Sequence, residues 1–208
     1  MTVIWPTSLR PAQILVNPVP FTRSGGRSLG GLERVTRTDR GFWEIVYKGV
    51  LLQDAVSRRL WASTRTSVNG MAESIVLPVW SHDVNGADSG IVVTMAVAAE
   101  LGDTQVTLSL GSGIDDLAGV RFSYGNALYE TGVAIDVYDD EWIVPIFPAL
   151  RADIAADAVL EFNLPTCLVR LASDREMDAS LTAGQVDRAD VSFIEDVEFW
   201  NNLASPGS

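Results

Sequence analysis

Phe42-Trp43-Glu44-Ile45-Val46-Tyr47-Lys48-Gly49-Val50 is the stretch that decides the fold class. Trp43, Ile45 and Tyr47 alternate with Glu44 and Lys48, a period of two that puts apolar side chains on one face of an extended strand and charges on the other. The same alternation recurs downstream. Val106, Leu108 and Leu110 alternate with Thr107 and Ser109, and Leu160, Phe162 and Leu164 with Glu161 and Asn163. Turn chemistry separates the runs. Gly125-Asn126, between Val120–Tyr124 and Ala127–Glu130, predicts a two-residue hairpin turn of the II′ type, because glycine supplies the positive φ that such a turn needs. Asp139-Asp140 predicts a second hairpin, joining Val133–Tyr138 to Trp142–Phe147, and Asp39-Arg40-Gly41 predicts the turn leading into the opening strand.

Outward from these strands, one stretch has helical period. Between Leu51 and Val68, Leu52, Val56 and Leu60 fall at i, i+4 and i+8, which predicts a buried helix face there, and Asn69-Gly70 supplies the C-terminal stop. Ser81–Gly90 (SHDVNGADSG) is polar and glycine-bearing and reads as a linker. A further turn falls at Pro165-Thr166, before a strand Cys167–Leu171, and residues 201–208 read as a flexible tail.

Apolar residues make up 47% of the 208, enough to bury a core and too many for wholesale disorder. The longest apolar runs, such as Ile91–Val97, are far too short to cross a bilayer, so no membrane partner is expected. Met1–Arg10 lacks the basic and apolar regions of a secretory signal, and Cys167 stands alone, which excludes an internal disulfide; together they predict folding in a cytoplasm. The net charge of −12 hides an asymmetry: residues 1–69 carry nine Arg and Lys48 against four acidic residues, +6, and residues 70–208 carry the remaining −18. Such polarity suits head-to-tail or ring assembly, in which unlike surfaces meet, and it also arises by chance segregation on one solvated surface.

Candidate chemistry is sparse. Ser24–Gly31 (SGGRSLGG) has the glycines of a phosphate loop but no following Gly-Lys-Ser/Thr and no strand-then-helix flanks, so it reads as a flexible loop or bulge holding Arg23 and Arg27. His82, Asp83, Asn85 and Asp88 miss the calcium-loop pattern at Ala87 and Thr94, and one histidine supplies a transition-metal site poorly, so neither metal nor cofactor is expected. Asp139-Asp140-Glu141 and Asp115-Asp116 lack any sign of the burial that separates the pKa values of catalytic carboxylate pairs. With a single histidine and a single cysteine, triad catalysis has few members to draw on. The tryptophans Trp5, Trp43, Trp61, Trp80, Trp142 and Trp200 serve a core or an interface by default, or a sugar-stacking platform.

Several motifs carry a family resemblance. Trp5-Pro6-Thr7-Ser8-Leu9-Arg10-Pro11, then Ser24–Gly31, then Arg40-Gly41-Phe42-Trp43 resemble the start of a family of minor tail proteins of siphophages and prophages. The resemblance continues through the helix to Asn69-Gly70 and a strand Ile75–Trp80. It returns at Phe147-Pro148-Ala149-Leu150-Arg151, at Pro165-Thr166-Cys167-Leu168-Val169-Arg170-Leu171 and at Val191-Ser192-Phe193-Ile194-Glu195, thinning at Asp88–Gly119.

What the resemblance implies is a non-catalytic distal tail protein in the virion tail tip, assembled in the host cytoplasm. The implied fold is all-β with one helix: a tail-tube-like β-sandwich from residues 1–85 and 166–200, forming a ring, and an inserted small β-barrel or β-sandwich at 88–165. The implied partners are copies of itself, six in a ring, the tail tube protein, and the tail hub and other tip proteins. Arg23, Gly25, Gly26 and Arg27 are the candidate subunit contacts. DNA passes through such a ring without specific binding, and a negative wall lets a polyanion slide. Asp174, Glu176, Asp178, Asp187 and Asp190 are the candidate lining, with Asp139–Glu141 outside on the inserted module; the alternative is that all these carboxylates simply keep the surface solvated. The rival readings are a carbohydrate- or receptor-binding virion module and a tail-associated hydrolase.

Overall fold

A computed structural model describes residues 2–27, 33–79, 90–179 and 186–204. The chain opens with strands β1 (Thr2–Ile4), β2 (Gln13–Arg27) and β3 (Glu33–Leu52), helix α1 (Ala55–Val68) and strand β4 (Ser74–Pro78). The middle holds β5 (Val92–Met95), β6 (Gln105–Ser112), β7 (Arg121–Tyr124), β8 (Ala127–Thr131), β9 (Asp136–Tyr138), β10 (Glu141–Phe147) and β11 (Val159–Leu160). It closes with β12 (Thr166–Leu171), β13 (Asp187–Glu195) and helix α2 (Val197–Ala204). The fold is all-β, with two short helices.

The first and last thirds share one six-stranded sheet, ordered β1-β4-β12-β13-β3-β2, with β1 parallel to β4 and the other pairs antiparallel. Period-two alternation builds it. Trp43, Ile45 and Tyr47 face the same core as Ile75, Leu77, Cys167, Val169, Val191 and Phe193, all buried. Trp5 plugs this core. Its ring meets Tyr47, Trp61 and Phe193 edge-on, with centroids 5.6, 6.1 and 5.4 Å away, and its Nε1 donates to the Leu9 carbonyl at 3.0 Å. Edge-on aromatic pairs add about 0.5–1.5 kcal/mol each beyond area burial.

The helix forms where expected but turns a different face inward. Leu52 ends β3, Val56 is exposed, and the buried residues are Trp61, Thr64 and Val68 at i, i+3 and i+7, with Leu60 packed beside them. The cause is the start of the helix. Asp54 is the N-cap, accepting from Ser57 N while Ser57 Oγ accepts from Asp54 N, so Leu52 lies outside the helical phase. Asn69 caps the far end in the left-handed region (φ 51°), as its sequence predicts.

The middle third closes on itself. β11-β5-β6-β10-β8-β7 run antiparallel in that order, and Ser123 on β7 exchanges both backbone hydrogen bonds with Glu161, the residue after β11, at 2.9 and 3.0 Å. An even number of antiparallel strands closes without a parallel seam, so the module is a small barrel, filled by side chains including Val93, Met95, Leu108, Phe122, Tyr129, Val144 and Phe162. The Gly125-Asn126 turn joins β7 to β8, but both residues have positive φ (57° and 70°), which makes it type I′ instead of II′. Asp139-Asp140 joins β9 to β10 as expected.

Other expectations are corrected. Asp39-Arg40-Gly41 is no turn; it lies inside β3, where pairing with β2 slips between Val19–Phe42 and Phe21–Thr38. Asp and Gly suit a bulge as well as a turn, and here the extra residues bend a continuous strand. The first half of the glycine-rich loop, Ser24–Arg27, continues β2, with a second slip between Ser24 and Arg27 and Gly26 at φ 82°. Residues 201–204 are not a loose tail but the last turn of α2, which Asp196 caps by accepting from Phe199 N at 3.2 Å and which Trp200 anchors in the barrel core. Trp80 and most of the expected linker, residues 81–89, lie outside the described residues.

Candidate functional site

Among the described residues, buried polar side chains gather where the sheet meets the barrel. β13 alternates inward as Val191, Phe193 and Glu195, so its period of two delivers a carboxylate into the core. Arg151, four residues beyond β10, reaches it from the barrel side. Its Nε and one terminal nitrogen donate to the two Glu195 oxygens, each at 3.0 Å, a bidentate pair whose side chains are 10% and 0% exposed.

The pair is built in on all sides. Arg151 also donates to the Gly41 carbonyl, and its backbone N–H donates to Tyr129 Oη at 3.0 Å. Glu195 further accepts from Trp43 N at 3.1 Å. Trp43 in turn donates its indole N–H across to the Leu128 carbonyl of β8 at 2.8 Å and meets Phe147 edge-on at 5.1 Å. Burial pushes the Glu195 carboxyl above the usual glutamate range, with Arg151 and the Trp43 N–H opposing the shift. Burial likewise raises Tyr129 and the Cys167 thiol, so both stay protonated.

A second contact stands beside the first. The Gly125-Asn126 turn of the barrel docks on β12: Leu168 N donates to the Asn126 carbonyl at 2.8 Å, Thr166 N to Ser123 Oγ at 2.9 Å, and Thr166 Oγ1 to Asn126 Oδ1 at 3.0 Å. Leu168 and Val76 of the sheet pack with the barrel core, and Leu128 of the barrel packs with the sheet core. Hydrogen bonds and apolar contacts therefore both cross the junction, which holds the two bodies in one orientation.

No family model and no curated protein sequence matches this chain.

Four sequence segments converge here: Arg40–Trp43 supplies Gly41 and Trp43, Phe147–Arg151 supplies Phe147 and Arg151, Pro165–Leu171 supplies Thr166 and Leu168, and Val191–Glu195 supplies Glu195. Glycine at 41 has a direct cause. A Cβ there would lie 2.2 Å from Phe147 Cε2 and 3.2 Å from the Val19 carbonyl oxygen. Gly41→Ala is therefore expected to cost about 1–3 kcal/mol by forcing the Phe147 ring off its rotamer. Urea unfolding measures it, and Gly41→Ala combined with Phe147→Leu should cost less than the sum of the two single changes.

The residues singled out from sequence lie elsewhere. Arg23, Gly25, Gly26 and Arg27 are on β2 where it pairs with β3 beyond the rest of the sheet. Of the five acidic candidates, Asp174, Glu176 and Asp178 lie in the segment after β12 and Asp187 and Asp190 on β13, each with a partner inside the chain. Asp187 pairs with Arg58 at 3.1 Å and Asp178 with Arg65 at 3.7 Å. Asp174 accepts from Met71 N, Glu176 from Ser192 N and Asp190 from Gly49 N, at 3.1, 2.9 and 2.7 Å. Asp139, Asp140 and Glu141 are exposed at a hairpin tip of the barrel. His82, Asp83, Asn85 and Asp88 fall outside the described residues, and among those described no cluster of ligands suits a metal. Trp5, Trp43, Trp61 and Trp200 are core residues. An open groove beside the junction, lined by Leu101, Arg151, Ala152, Asp153 and Leu203, holds about 230 Å³, below the range of about 300–1,000 Å³ typical of small-molecule sites.

Proposed function

We propose that this chain is a structural component of a bacteriophage tail tip, similar to a distal tail protein, whose copies form a ring joining the tail tube to the tip proteins. The observation that carries this reading is the β2–β3 arm. β13 supports β3 only over Glu44–Leu52, whereas β2 and β3 stay paired out to Arg27 and Glu33. Among the described residues, the arm beyond Phe42 is paired as two strands, β2 with β3, and two-stranded ribbons draw stability from a third strand or a packing surface. An extended ribbon of this kind suits a contact between neighbouring subunits.

The junction supports the same reading. Its polar groups are spent on one another, which suits two bodies fixed at a set angle and not a reactive group presented to a substrate. In that role the inserted barrel is a rigid outward module, and the sheet with α1 is the ring-forming body.

Imaging and sedimentation of the purified chain test this. The expected result is a closed ring, six copies around a central opening, that weakens as salt rises. A chain that remains monomeric at high concentration and low salt would contradict it, as would cell-wall hydrolysis or glycan cleavage by the purified protein.

A further inference from the structure

The open groove beside the junction has walls from two bodies. Leu101, in the turn after β5, is 48% exposed and Leu203, on the last turn of α2, is 54% exposed, so two large aliphatic side chains border one opening of about 230 Å³. Phe199 lies one helical turn before Leu203 on the same side of α2 and is 40% exposed, which lengthens the apolar strip. Both walls are held in place. Leu101 N donates to Asp153 Oδ1 at 2.8 Å, Gly102 N to the Leu150 carbonyl and Leu150 N to the Asp103 carbonyl, the last two at 2.9 Å, which stitches the Leu101 turn to the segment after β10. Trp200 anchors α2 in the barrel core.

The residues lining the groove also carry one unused donor and one unused acceptor. Arg151 spends Nε and Nη2 on Glu195 and Gly41, and its Nη1 has no partner among the described residues, although only 10% of the side chain is exposed. Asp153 uses Oδ1 for Leu101, and its Oδ2 accepts from nothing among those residues. The Glu195 carboxylate balances the guanidinium, so Arg151 meets the groove as a directed donor and not as a free cation. Glu100 and Asp103, in the Leu101 turn, are exposed like Asp153, and none of the three forms an ion pair among the described residues.

We propose that this groove binds an extended peptide segment of a partner protein, with one aliphatic side chain seated between Leu101 and Leu203 and a basic residue on either side of it. An extended residue turns its N–H and its carbonyl to the same side. The carbonyl accepts from Arg151 Nη1, and the N–H donates to Asp153 Oδ2. The flanking cations face Glu100 and Asp103, so charge sets the choice of segment and the aliphatic anchor supplies the buried contact. The volume agrees, being small for a free ligand and sufficient for one side chain. The inference goes beyond ring assembly and does not depend on it: a segment seated here touches the barrel and α2 at once.

Methyl NMR of the full chain with capped tripeptides tests it, with circular dichroism to confirm that each variant folds. Acetyl-Arg-Leu-Arg-amide should shift the Leu101 and Leu203 methyl signals and saturate. Acetyl-Glu-Leu-Glu-amide and acetyl-Arg-Ser-Arg-amide should each bind at least about tenfold more weakly, since one reverses the charge and the other lacks the anchor. Leu203→Ser should weaken the first peptide by about tenfold. Asp153→Asn, which keeps the Oδ1 acceptor for Leu101, should weaken it as well. Equal shifts with all three peptides would overturn the site, and so would binding that neither substitution changes. Methyl signals that stay in place at the highest peptide concentration reached would overturn it too, while leaving the ring reading intact.

Discussion

Arg151→Ala is expected to lower the unfolding free energy by about 3–5 kcal/mol, since it strips the partner from a carboxylate that the fold still buries. The loss should also carry a signature in pH. Burial already holds Glu195 above the ordinary glutamate range, and Arg151 is the largest influence opposing that shift. Without the guanidinium the folded-state pKa rises further. A carboxyl whose folded pKa lies above its unfolded value contributes stability that is complete below the unfolded value and is lost as pH rises through the folded one. The deficit of Arg151→Ala should thus be smallest in acid and grow toward neutrality, measured as the difference from wild type in urea titrations. Arg151→Met combined with Glu195→Leu removes both charges and should be far milder than Arg151→Ala alone. A deficit that does not change with pH would mean that the loss is packing and not an orphaned charge.

How far this junction was legible in the sequence is instructive. The inward place of Glu195 was there to be read, because Val191 and Phe193 alternate with Ser192 and Ile194 and the same parity carries on to 195. A carboxylate on the apolar phase of a strand asks for a partner, and the strand itself does not say which. Arg151 lies 44 residues away in sequence and reaches Glu195 only because the barrel folds back on the sheet. Closure of the barrel was hidden for the same reason, as it rests on Ser123 and Glu161, whose pairing no local pattern encodes. Local chemistry, by contrast, was largely readable: the Trp43–Tyr47 alternation, the Asn69 cap and the positions of the hairpin turns at Gly125-Asn126 and Asp139-Asp140.

The errors also have local causes. Leu52, Val56 and Leu60 share a helical phase, but the Asp54 cap starts the helix after Leu52, and the sheet selects Trp61, Thr64 and Val68 instead. The side chain of Trp61 settles this choice, since its indole N–H reaches the Met177 carbonyl at 3.0 Å and ties α1 to the segment after β12. That same segment carries Asp174, Glu176 and Asp178, whose hydrogen bonds and ion pair hold it against β13, the helix end and Arg65. Their charges thus have work inside the chain whatever a central opening requires.

Trp43→Ala should be as damaging as the loss of Arg151, at about 3–5 kcal/mol, the usual range for removing a large buried aromatic ring. Trp43 is fully buried, and it serves both bodies at once: its ring packs in the sheet core and against Phe147, and its indole N–H bonds Leu128 in the barrel. Trp43→Phe separates these contributions. Phenylalanine keeps an aromatic ring in the core but leaves the buried Leu128 carbonyl without its indole donor, which costs about 1–3 kcal/mol. The Ala variant should therefore lose the packing and the bond, and the Phe variant chiefly the bond. Chemical unfolding gives both totals, and amide exchange should locate the Phe defect at the junction, with faster exchange in β8 and at the start of β3's inner half. If Trp43→Phe were within a few tenths of a kcal/mol of wild type (a surface-like result), the indole bond would not be holding the barrel to the sheet, and the Arg151–Glu195 pair with the Asn126 turn would have to do so without it.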